Sequence, residues 1–117
     1  MDMRCFGKPK KKTRGVVYLA GPITGVPNYW EAFERMDDYL SSMGWTVLSP
    51  ARHPQGLTNA DYMRIDFAMI DTADVVLFLP GWQNSPGAKL EKHYCEYIDK
   101  PHTEHVENLE EVLACQR

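Results

Sequence analysis

The 117-residue chain has no long hydrophobic run. Nothing in it approaches the ~18 apolar residues that a membrane-spanning helix needs, so no membrane partner is expected. Cysteine is scarce. Cys5, Cys95 and Cys115 are three in number, far apart and in no C-x-x-C pattern. Such a set excludes a disulfide scaffold and predicts a reducing, cytoplasmic setting. The basic N-terminus is followed by no apolar stretch, which argues against a secretory signal. Internal repeats are absent, as is any linker after residue 15. His93 with Cys95, and His102 with His105, lack a second ligand pair at suitable spacing, so neither a metal nor a cofactor is expected.

Charge is present but unevenly spread. Arg4, Lys8, Lys10, Lys11, Lys12 and Arg14 stand against Asp2 alone in residues 1–15, while the whole chain has a net charge of -3. The reading is a basic flexible tail over residues 1–14 and an acidic domain over 15–117. The tail serves as a solubilising arm or, alternatively, touches nucleic acid. The acidic body argues against a nucleic-acid partner for the domain, because phosphate contacts need a positive surface.

The body alternates strand and helix signals. Val16–Ala20 is short and β-rich and stops at Gly21-Pro22. A first helix is expected near Asn28, with Asn28 and Glu31 as a capping box, and Gly44 after its end. Trp45–Leu48 reads as strand two, and 59–72 as a second helix. Asp74–Leu79 is nearly all apolar, as in a parallel sheet covered on both faces. Ser85-Pro86 opens a third helix, with serine as cap and proline at the first helical position. Residues 102–106 read as a weak fourth strand and 107–115 as a terminal helix. The expected fold is α/β, a Rossmann-like or flavodoxin-like three-layer sandwich with a short parallel sheet. Ligands in such sheets sit beyond the carboxyl ends of the strands. Those ends are Gly21–Gly25, the loop after Pro50, and Pro80–Gly87.

Two carboxylates stand out. Asp66 shares the apolar stripe of Tyr62, Met63, Met69, Ile70 and Ala73, and Glu91 that of Ala88, Tyr94, Cys95 and Ile98. Acidic residues are rarely buried unless paired or functional. The plain alternative is that both bend to solvent, or pair with Arg64, Arg52 or Lys89. The functional one is a carboxylate pair for glycosidic-bond cleavage, one acting on the sugar and the other on a proton. A phosphate can dock on the helix that opens at Ser85, where Gly87 allows close approach; Ser85 reads equally as a plain cap. Trp30 and Trp82 suit either base stacking or packing. Lys89 reads as a solvated face, and Cys95 as core rather than nucleophile.

Three segments carry a resemblance: Tyr18–Gly25, Asp66 eight residues before Asp74, and Leu79-Pro80-Gly81-Trp82-Gln83-Asn84-Ser85-Pro86-Gly87-Ala88-Lys89-Leu90-Glu91. Together, over about residues 15–101, the chain resembles the nucleoside 2-deoxyribosyltransferase superfamily, in particular its small phage-type branch and the nucleoside monophosphate N-glycosidases. The resemblance implies that Glu91 is the catalytic nucleophile and that Asp66 assists the leaving base or holds the sugar. It implies that Tyr18, Gly21 and Pro22 lie in a first-strand substrate-binding segment, and that Ser85 and Gly87 contact a 5′-phosphate. It also implies a homodimer or larger homo-oligomer whose neighbouring subunit completes the pocket. Two departures from the family pattern are Ala88-Lys89-Leu90 before the glutamate and Lys92-His93-Tyr94-Cys95 after it. The expected ligand is a small-molecule nucleotide or nucleoside. The expected activity is N-glycosidic hydrolysis of a (deoxy)nucleoside 5′-monophosphate, the alternatives being deoxyribosyl transfer and a non-catalytic nucleotide-binding module.

Overall fold

Strand β1 (Val16–Ala20) is apolar at every position because both its faces are covered. Val17 and Leu19 point to one side, Tyr18 and Ala20 to the other, as the two-residue strand period dictates. A computed structural model describes residues 13–115 and gives four helices and four short strands. The strands are β1, β2 (Thr46–Leu48), β3 (Val75–Phe78) and β4 (His102–Thr103). They form one sheet in the order β2-β1-β3-β4, and every pairing is parallel. Val17 pairs with Val47 on one side and Val75 on the other, and Val76 pairs with His102.

Helices α1 (Tyr29–Ser42) and α4 (Leu109–Cys115) cover one face. Phe33, Leu40, Leu109 and Leu113 pack there against Val17, Leu19, Val75 and Leu77. Helices α2 (Asn59–Thr72) and α3 (Pro86–Tyr97) cover the other, where Ile70 and Cys95 meet Tyr18, Ala20, Val76 and Phe78. Each large side chain so buried contributes about 1.5–3 kcal/mol. The result is the expected three-layer α/β sandwich, in the flavodoxin-like strand order.

Several local expectations need correction. Asn28 sits in the left-handed region at φ 55°, and its side chain caps nothing. Its carbonyl accepts from Glu31 N–H at 3.1 Å instead, so no capping box forms there. The box lies at α2, where Thr58 Oγ1 accepts from Asp61 N–H at 3.1 Å and Asp61 accepts from Thr58 N–H at 3.3 Å. Gly44 does follow α1, at φ 98°, a geometry only glycine adopts freely. The fourth strand has two residues rather than five, and a 3-10 turn over Val106–Asn108 precedes α4. Ile98 is 39% exposed and lies outside the α3 stripe.

Residues 1–12, which hold most of the basic tail, lie outside the described residues. Arg14 donates its backbone N–H to Gly44 O at 2.9 Å, and its guanidinium meets Glu110. No helix among the described residues is long and apolar enough to cross a membrane.

Candidate functional site

The strand order sets the location. The chain runs from β1 outward to β2, then returns past β1 to β3, so adjacent connections diverge beyond the carboxyl ends of β1 and β3. A cavity of about 610 Å³ opens there, lined by the loops after β1 and β2, the first turns of α2 and the start of α3.

Asp66, Glu91 and one further residue line it; Tyr18, expected in the binding segment, does not line it but lies behind Glu91. Tyr18 is fully buried in β1 and faces α3. Its hydroxyl donates to Glu91 Oε2 at 2.9 Å. Glu91 is 4% exposed and Asp66 7%. Both are held inward because their helices turn those stripes to the sheet. Burial pushes the Glu91 carboxyl from its ordinary 4.5 up to about 9, aided by the Asp66 charge and a hydrogen bond to Asp66, against the opposing pull of Tyr18. Glu91 thus holds its proton at neutral pH. Burial, then the charges of Glu91 and Asp66, raise the Tyr18 phenol well above its ordinary value.

The partner of Asp66 is none of the cations weighed from the sequence. Arg64 pairs with Asp61, Arg52 with Asp37, and Lys89 is exposed. His53 Nε2 lies 2.6 Å from Asp66 Oδ1 instead. A carboxylate accepts only, so the imidazole carries its proton on Nε2. Tyr18–Glu91 and His53–Asp66 are two hydrogen-bonded pairs, and the two carboxyls are near enough for Asp66 to act on Glu91. Sequence reasoning missed His53 because it lies in the loop after β2, with no periodic pattern to flag it. Its position just beyond the end of a parallel strand was the available signal.

Gly21 lines the cavity, and a methyl there would lie 3.1 Å from Leu79 Cβ, so glycine is needed for packing as well. Pro22 is not a lining residue; it packs towards Gly81. Ser85 and Gly87 both line the cavity. Ser85 Oγ accepts from Ala88 N–H at 3.2 Å, which makes it the cap of α3 and leaves its own O–H free to donate. Pro86 has no N–H, so Gly87 N–H is the one amide of this first turn without a protein partner among the described residues. A methyl on Gly87 would clear its nearest neighbours by 3.9 Å or more. Among the described residues, no lysine or arginine lines the cavity.

The remaining aromatic candidates separate. Tyr29 lines the cavity, with Trp30 edge-on to it at 5.8 Å and outside the lining. Trp82 packs on Phe78 at 5.4 Å beneath Lys92 Nζ, also outside it. Cys95 is fully buried, and burial pushes its thiol up to about 12, which suits core rather than nucleophile.

Fold and site together define a parallel α/β sandwich with two buried, neighbouring carboxyls at its switch point. The chain belongs to the family described as a domain of unknown function (DUF4406), which matches residues 15–103. That span contains every residue of the site. No curated protein matches the chain.

Proposed function

We propose that this protein hydrolyses the N-glycosidic bond of a (deoxy)nucleoside 5′-monophosphate. The observation that carries the reading is the buried pair Glu91 and Asp66 at the cavity wall, with Tyr18 bonded to Glu91 and His53 to Asp66. Two neighbouring carboxyls, one of them holding a proton, are what cleavage through a sugar ester requires. The resemblance to the nucleoside 2-deoxyribosyltransferase superfamily supports the same assignment.

One proton shift arms both groups. Glu91 passes its proton to Asp66 as substrate enters and becomes the nucleophile, its charge held by the Tyr18 hydroxyl. Glu91 attacks the anomeric carbon. The bond to the base breaks, its electron pair goes to the base nitrogen, and Asp66 supplies the proton there. Water then cleaves the glycosyl ester, giving back the Glu91 carboxyl and the free sugar phosphate. His53 holds Asp66 in place throughout.

The 5′-phosphate sits at the start of α3, against Gly87 N–H and Ser85 O–H, where the helix dipole favours an anion. Leu57 and Leu90 are exposed, and Leu90 lines the open cavity. A second copy closing that mouth is the assembly this reading expects, a homodimer or larger, which light scattering of the purified chain reads directly.

The test is free-base release from a panel of ribo- and deoxyribonucleoside monophosphates, analysed by chromatography. Release with water as acceptor is the expected result. Release only when a second base is supplied would make the protein a deoxyribosyl transferase. Tight nucleotide binding with no release would make it a binding module.

A further inference from the structure

His53 belongs to an exposed loop, and something has to hold its ring against Asp66. The loop gives it little support. Pro54–Thr58 are all exposed, and a methyl on Gly56 would meet nothing within 4 Å, so this segment stands clear of the body. The imidazole has one hydrogen-bonding partner and one stacking partner among the described side chains, and both come from α2. Its edge meets Asp66 at 2.6 Å. Its face stacks on Tyr62, with centroids 5.9 Å apart and planes 18° from parallel. Tyr62 and Asp66 are one helical turn apart, so a single helix grips the ring on two sides.

The Tyr62 hydroxyl acts on the same loop. It donates to Pro54 O at 2.9 Å and accepts from Leu57 N–H at 3.3 Å, tying both ends of the 54–57 segment. Tyr62 belongs to neither hydrophobic cluster under the sheet; its half-buried ring lines the cavity beside Asp66.

We propose that Tyr62 is a positioning residue, which fixes the ring orientation of His53 and through it the Asp66 carboxylate. The catalytic consequence rests on the glycosidase reading above; the geometric one does not. A ring held this way keeps one tautomer, with the proton on Nε2. Without the stack and the hydroxyl ties, the ring rotates and Asp66 loses its fixed partner.

The experiment compares wild type, Tyr62→Phe and Tyr62→Leu. The readouts are the ring-nitrogen chemical shifts of His53 by NMR, the melting temperature, and kcat and KM for base release. Wild type should show a single Nε2–H signature. Tyr62→Leu should average the two tautomers, with its melting temperature little changed. Its kcat should fall by roughly tenfold, more than KM changes, the scale expected when a catalytic group is slightly misplaced. Tyr62→Phe keeps the stack, so it should lie between the two. An unchanged nitrogen signature in Tyr62→Leu would overturn the proposal, whatever happens to stability. If the wild type releases no base, the glycosidase reading falls, and the nitrogen signature alone decides the role of Tyr62.

Discussion

Glu91 keeps its proton because its surroundings are dry and Asp66 is beside it. That has a kinetic signature. If the reaction uses this proton, kcat/KM stays level across neutral pH and falls as pH passes about 9. If Glu91 has to lose it before substrate arrives, kcat/KM climbs towards that pH instead, and a pH series separates the two. Asp66→Asn removes the proton acceptor and should cost ~10²–10⁴ in rate. Both carboxyls are legible in the sequence, because an acid on an apolar stripe contradicts the stripe. His53 is not. Its pairing with Asp66 joins a loop to a helix across the site, and only the folded path of the chain brings them to 2.6 Å.

The start of α3 combines a structural task with a binding task, and substitution separates them. Ser85→Ala removes the cap on Ala88 N–H and should lower stability by about 1 kcal/mol. It should also weaken monophosphates relative to nucleosides. Gly87→Ala works the other way. The methyl has room within the protein, with Met63 Sδ at 3.9 Å as its nearest neighbour, and alanine favours helix over glycine by up to ~1 kcal/mol. Its melting temperature should hold or rise while monophosphate affinity falls, because the methyl occupies the phosphate seat. Equal affinity in wild type and Gly87→Ala, read by calorimetry, would remove the phosphate from this helix. The Ser85-Pro86 start was legible because proline tolerates the first helical position and serine caps it. The Asn28 start misled. Asparagine suits a side-chain cap and the left-handed region alike, and the turn from Val26 N–H to Ile23 O feeds the chain in with Asn28 left-handed. Two-residue β4 was legible only as a weak strand, since its pairing with β3, not its composition, makes it one.

At the scale of the whole molecule, alternating strand and helix signals sufficed for a parallel sheet covered on both faces. They did not yield the order β2-β1-β3-β4, which depends on long-range pairing and creates the switch point beneath the cavity. Building the site there places an ionisable group in the core, and global stability then depends on pH. In the unfolded chain Glu91 ionises near 4.5, and in the fold only near 9. Between those values the folded state binds more protons than the unfolded one, so unfolding becomes easier as pH rises. The contribution from Glu91 is complete below about 4.5 and is lost as pH climbs through about 9. Its slope is at most ~1.4 kcal/mol per pH unit. Glu91→Gln is the test, because glutamine imitates the protonated acid: its oxygen accepts from Tyr18 and its NH₂ donates to Asp66. The variant should match wild type in stability near pH 5 and exceed it by a growing margin towards pH 9, while releasing no base. Denaturant titrations of both proteins across that range give the margin. Parallel curves would mean that Glu91 is ionised in the fold, and the proton-sharing mechanism would fall with the prediction.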